Sequence, residues 1–153
     1  MNLTVRHARP DDAETIARYN IAMALETEGK RLDPSVIGSG VRTVFANPGH
    51  GFYLVAEVDG EVGGCLMCTF EWSDWRNGQF WWVQSVYVAP DHRRKGLYRA
   101  MYAHLKDMAR ERGGVCGLRL YVEHDNRRAQ ETYRALGMRD ARYLVYEEIT
   151  PGA

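Results

Sequence analysis

The run FWWVQSVYV (Phe80–Val88), followed after a short turn by HRRKGLYRAMYAHL (His92–Leu105), decides how this chain folds. The first is a continuous apolar stretch of strand length, rich in β-branched and aromatic residues. In the second, Leu97, Met101, Leu105 and Met108 recur at helical spacing, and Gly113-Gly114 ends the helix. At the joint, Arg93, Arg94, Lys95 and Arg99 surround a single glycine, Gly96. A helix amino terminus exposes unpaired N–H groups and the positive end of the macrodipole, so four cations there are unfavourable unless an anion joins them. A glycine lets a phosphate approach the backbone, and the junction therefore reads as an anion site. It is not a P-loop, because G-x4-G-K-[ST] is missing, nor a dinucleotide fingerprint, because G-x-G-x-x-G is absent.

Elements alternate on either side of this joint. Leu3–Ala8 predicts a first strand, and Pro10 with Asp11 and Asp12 opens a helix running to about Glu28. A second helix follows Pro34 and runs to about Ala46. Phe52–Val58 and the run after Asp59-Gly60 predict a hairpin, and Arg76–Gly78 turns the chain into the Phe80 strand. Beyond the long helix, Gly117–Val122 predicts a strand and Asn126 caps a helix that carries Ala129, Tyr133 and Leu136 and ends at Gly137. Tyr143–Ile149 predicts a final strand. The expectation is one α/β (α+β) domain over residues 1–153, a mixed sheet of about six to seven strands flanked by helices.

Composition supports that reading. The chain has 153 residues, 45% hydrophobic, enough for one substantial core. Without a membrane-length apolar run or a signal-peptide layout, and with three cysteines that form no disulfide framework, a cytoplasmic protein is expected. Net charge is zero, which argues against nucleic acid or an acidic membrane as partner. Its distribution is uneven: residues 1–76 hold 7 basic against 11 acidic side chains and residues 77–153 hold 13 against 9, so the halves carry −4 and +4. The second half suits an anion and the first a cation. No metal is expected, because H-E-x-x-H is absent and the cysteines of Cys65-Leu-Met-Cys68, three apart on a strand, point to opposite faces.

The pieces together resemble the GCN5-related N-acetyltransferase (GNAT) family. Arg93–Tyr98, RRKGLY, is similar to the family's [QR]-x-x-G-x-[GA] pyrophosphate loop, and Asn126, Ala129, Tyr133 and Gly137 match N-x-x-A-x-x-x-Y-x-x-x-G downstream. One position departs: Tyr98 stands where glycine or alanine is usual, so its side chain must point away from the phosphates. The resemblance implies acetyl-CoA as the anion, splayed fourth and fifth strands with the pantetheine arm between them, and a homodimer. It implies that Val86, Tyr87 and Val88 offer backbone groups to that arm and that Arg93, Arg94, Lys95, Gly96, Leu97, Tyr98 and Arg99 hold the pyrophosphate. Asn126 and Tyr133 complete the cofactor set. Tyr133, which periodicity alone reads as a core tyrosine, becomes the acid for the departing thiolate.

A base must deprotonate the incoming amine. Glu71 is the first candidate, with Glu26, Glu28 and Asp74 behind it, although each also reads as a surface carboxylate. Ala24–Asp33 joins the first two helices, where the family shapes its acceptor pocket. Glu26 and Glu28 are expected to hold an ammonium group, and Trp72 and Trp82 to wall it. The expected reaction is direct acetyl transfer to a small amine, polyamine or amino-acid-like. The alternatives are a protein amine as acceptor, or a non-catalytic acyl-CoA-binding or partner-docking module.

Overall fold

The computed structural model describes residues 1–152. They form two compact units, Met1–Tyr121 and the described residues from Val122 onward. The first holds a five-stranded sheet in the order β1 (Leu3–His7), β2 (Gly51–Val58), β3 (Glu61–Ser73), β4 (Gly78–Val88) and β5 (Val115–Leu120). Neighbours are antiparallel except β4 and β5, which are parallel. A parallel pair needs a crossover, and α3 (Leu97–Arg112) supplies it.

The first two helices, α1 (Ala13–Glu28) and α2 (Pro34–Ala46), cover one face, where Ile16 and Val41 pack with Tyr53, Val55, Cys65 and Tyr87. Strand alternation sends Leu54 and Leu66 to the other face, where Leu97, Met101 and Leu105 of α3 are fully buried. A short 3₁₀ turn, Pro10–Asp12, precedes α1. There Asp12 accepts from both terminal nitrogens of Arg6, at 2.8 and 3.1 Å, and from the Arg9 amide at 2.7 Å. Arg6 Nε also donates to Glu57 at 2.6 Å, so one guanidinium ties β1, β2 and the start of α1 together. Asp33 caps α2 by accepting from the Ser35 amide at 2.9 Å.

The second unit contains α4 (Arg127–Ala135) and, among the described residues, no strand. Two expectations change accordingly. The sheet has five strands rather than six to seven, and Tyr143–Ile149 is not one of them. An alternating apolar run becomes a strand only where another strand completes its ladder, and here Leu144 and Val145, on opposite sides of such a pattern, are 70% and 64% exposed. The fifth strand is Val115–Leu120 instead of Gly117–Val122, because the Gly113-Gly114 turn delivers the chain to the sheet early, with Gln79 N–H bonded to Gly114 O at 2.9 Å. No described helix is long and apolar enough to cross a membrane.

Candidate active site

Between β4 and α3 the chain makes a second 3₁₀ turn, Pro90–His92, and then the loop read as an anion site. Arg94 and Gly96 are both left-handed, φ 62° and 81°, with Gly96 as the N-cap of α3. Left-handed residues among ordinary ones turn N–H groups into an anion-binding concavity. The first helical bond runs from Ala100 N–H to Gly96 O at 3.0 Å, which leaves the amides ahead of it outside the helix's own ladder. No carboxylate occupies the first turn, and a Cβ on Gly96 would meet no heavy atom within 4 Å. The space beside the cap is open. The Tyr98 ring stacks along the helix on Tyr102, centroids 6.0 Å apart, as its departure from the usual small residue requires.

Upstream, β4 is irregular in a useful way. Cys65 of β3 faces Tyr87 while Met67 faces Gln84, so β4 carries one extra residue, and Ser85 takes φ 52°. This is a β-bulge, which bends a strand and re-aims its groups. The ladder with β5 ends at Val83–Leu120, whereas β4 continues to Val88. Beyond Val83, therefore, no described strand pairs with β4 on its β5 side. β4 thus outruns β5 on the side where the splay was expected, and an open strand edge accepts an extended ligand by main-chain hydrogen bonds.

The sequence-predicted carboxylates and cations meet partners that sequence spacing did not announce. Tyr87 Oη donates to Glu26 Oε2, and Arg93 Nη2 donates to Glu26 Oε1 at 2.7 Å. Arg93 Nε also donates to Val88 O at 2.9 Å, so this side chain folds back over β4 instead of reaching along the loop. The Tyr87 ring contacts Tyr19, whose hydroxyl donates to Val62 O at 2.6 Å. Bonding to Tyr87 and Arg93 holds the Glu26 carboxyl below its usual range. Burial first, then Glu26, pushes the Tyr87 phenol up to about 12. Glu26 is thus an ionised carboxylate beside the bulge, with one oxygen on each partner. Glu28 lies exposed at the end of α1.

Glu71 sits farther from the bulge. It pairs in register with Phe80, and its Oε1 accepts from Trp82 Nε1 at 3.3 Å and Arg119 Nη1 at 2.7 Å. Trp82 and Val86 lie four residues apart, about 10–13 Å along the strand at roughly 3.3 Å per residue, so Glu71 lies well away from the bulge. Trp72 and Trp82 do not form one wall: Trp72 follows Glu71 and so points to the opposite face of β3. Trp82 instead lies against Tyr121, ring centroids 4.5 Å apart. Phe80, Arg119 and Tyr121 escaped the sequence reading because only strand pairing brings them beside Glu71.

In the C-terminal unit Asn126 caps α4, its side chain accepting from the Ala129 amide at 3.1 Å. Tyr133 lies on that helix, and burial raises its phenol. Cys65 and Cys68 are both buried, which pushes their thiols up to about 12 and keeps them protonated.

Comparison with known proteins agrees with this geometry. Residues 18–138 match the acetyltransferase (GNAT) family. A thialysine N-epsilon-acetyltransferase of Caenorhabditis elegans is 30% identical over 118 residues, 74% of this chain and 69% of that protein. A streptothricin acetyltransferase of Streptomyces lavendulae is 34% identical over 85 residues, 56% of this chain but only 42% of that protein. Among solved structures, a possible acetyltransferase from Clostridium difficile 630 is 41% identical, with a TM-score of 0.91 and 98% and 99% of the two chains covered. The chain belongs to the GNAT acetyltransferase family.

Proposed function

From that membership we propose that the chain is one N-acetyltransferase domain that moves the acetyl group of acetyl-CoA to the amine of a small molecule in a ternary complex. The observation that carries this reading is the continuity of an open β4 edge with a basic, left-handed loop at the amino end of α3. The edge from Gln84 to Val88 suits the amides of a pantetheine arm, and the loop from Arg94 to Arg99 suits a pyrophosphate. A backbone N–H at Val86 or Tyr87, re-aimed by the bulge, is the proposed donor to the oxyanion.

The nucleophile must be a neutral amine, and at pH 7 deprotonating an ordinary primary ammonium takes roughly 4–5 kcal/mol. Glu26 is ionised and bonded to Tyr87 beside the bulge, which makes it a nearer base than Glu71, acting through water. Nitrogen attacks the thioester carbonyl carbon, the C–S bond breaks, and Tyr133 is the proposed acid for the thiolate. Both relatives named above bear the names of small-molecule acetyltransferases, which supports a small acceptor over a protein amine. The test is release of free thiol from acetyl-CoA across a panel of amines, wild type against Tyr133→Phe. The variant should slow release with little change in acetyl-CoA affinity. Binding of acetyl-CoA without thiol release for any amine would make the chain a non-catalytic acyl-CoA module.

A further inference from the structure

Arg93 opens the basic loop in sequence, yet its polar groups are committed elsewhere. The 3₁₀ turn before it takes its amide, which donates to Pro90 O at 3.3 Å, and its own backbone is extended, φ −72° and ψ 154°. Arg94 is left-handed, φ 62°, so the chain changes direction between the two. Arg93 Nε returns to Val88 O at 2.9 Å, Nη2 reaches Glu26 Oε1 at 2.7 Å, and the guanidinium carbon lies 5.5 Å from the centroid of the Tyr87 ring. The Tyr87 ring is held in turn by Tyr19, centroids 5.2 Å apart, and its hydroxyl donates to the second oxygen of Glu26. Side chains of the loop, of β4 and of α1 thus fix one carboxylate at both oxygens.

Stability does not explain this arrangement. The Arg93 and Glu26 side chains are 45% and 40% exposed, and an ion pair so open contributes little to folding while it costs two long side chains their rotamer freedom. Nor is the guanidinium needed for charge, because a carboxylate is ionised at pH 7 without one. What the contacts supply is position. An unrestrained carboxylate would pair directly with an incoming ammonium, and such a pair favours the protonated amine, which cannot attack. With one oxygen on Tyr87 and the other on Arg93, Glu26 is restrained from that pairing and takes the proton through water instead. The ammonium then gives up one N–H proton, and the neutral nitrogen keeps its lone pair for the thioester carbon. We propose that Arg93 is a positioning residue that holds Glu26 as base for the acceptor, and not a ligand of the cofactor's pyrophosphate. The proposal rests on the acetyl-transfer reading above, in which Glu26 takes the acceptor's proton.

The experiment runs the thiol-release assay at pH 7 with two acceptors of similar size: ethylamine, an ammonium at that pH, and trifluoroethylamine, whose fluorines leave its nitrogen neutral. Arg93→Gln should lower kcat for ethylamine about tenfold and lower its KM as well, because the freed carboxylate binds the ammonium without deprotonating it. Trifluoroethylamine has no proton to lose before attack, so its kcat should fall by at most about threefold, and Arg93→Lys should recover part of the ethylamine rate. Calorimetric titration of Arg93→Gln with acetyl-CoA should give an affinity within about twofold of wild type. Its melting temperature should fall by no more than about 4 °C, as befits an exposed pair. An acetyl-CoA affinity weakened about fivefold or more would place Arg93 on the pyrophosphate instead. Equal losses of kcat for the two amines, or none for ethylamine, would remove the positioning role while the transfer reading stands. No thiol release from wild type with these or any other amine would remove both.

Discussion

Gly96 and Gly60 offer a matched pair for testing where the cofactor binds. Both are left-handed, φ 81° and 86°, and a Cβ at either would meet no heavy atom within 4 Å. Replacing either by alanine therefore creates no clash, only the backbone strain of placing an L-residue in that region, about 1–2 kcal/mol. For a chain of this size that corresponds to a melting temperature lower by about 2–6 °C in both variants. Their surroundings differ. Gly60 sits in the β2–β3 hairpin turn, whereas Gly96 caps α3 inside the basic loop, where the added methyl would occupy space that a phosphate needs. Gly96→Ala should weaken acetyl-CoA binding about tenfold or more, some 1.4 kcal/mol, while Gly60→Ala binds as wild type does. Thermal melts and calorimetric titrations with acetyl-CoA read the two quantities separately. Equal affinity losses in the two variants would mean that backbone strain, not the loop, governs binding, and full affinity in Gly96→Ala would remove the pyrophosphate from this helix end.

Three further outcomes follow from the side-chain networks. Asp12→Asn should cost about 2 kcal/mol near neutral pH by weakening a charged, bidentate bond to Arg6. Because Arg6 holds the Asp12 carboxyl below its unfolded value, that stability is fully present above about pH 4–5 and is lost as pH falls through the lower folded value, so denaturant titrations of the two proteins should converge in acid. At saturating acetyl-CoA, Glu26→Gln should raise the KM of a cationic acceptor, whereas Arg93→Gln, which releases the same carboxylate, should lower it; changes in the same direction would make the pair purely structural. Gly117→Ala should displace the Phe80 ring and unseat Arg119 from it, lowering the melting temperature more than Gly60→Ala does; an equal or smaller loss would mean that the ring yields without strain.

Most of the fold was legible because its signals are local. The apolar runs, the Asp-Gly hairpin turn, the acidic start of α1, the Asn126 cap and the Gly-Gly stop after α3 each act within a few residues, and each lies close to where it was expected. The basic loop ahead of α3 was legible for the same reason, since its cations, glycine and helix start are contiguous. Tyr143–Ile149 shows the limit of that reasoning: alternation describes what a strand can bury, but hydrogen bonding to another strand decides whether it is one.

What the sequence by itself determined is therefore the order of elements and the chemistry of the loop between β4 and α3. Only tertiary structure decided which side chains face each other. Glu26 and Arg93 stand 67 positions apart, Glu26 and Tyr87 61, and Glu71 and Arg119 48. No periodicity links such positions, because their meeting depends on strand register, on one extra residue in β4, and on a glycine that leaves room for a phenyl ring. A carboxylate reads as available in a sequence until folding supplies its partner, and here the fold gave Glu26 and Glu71 an arginine each.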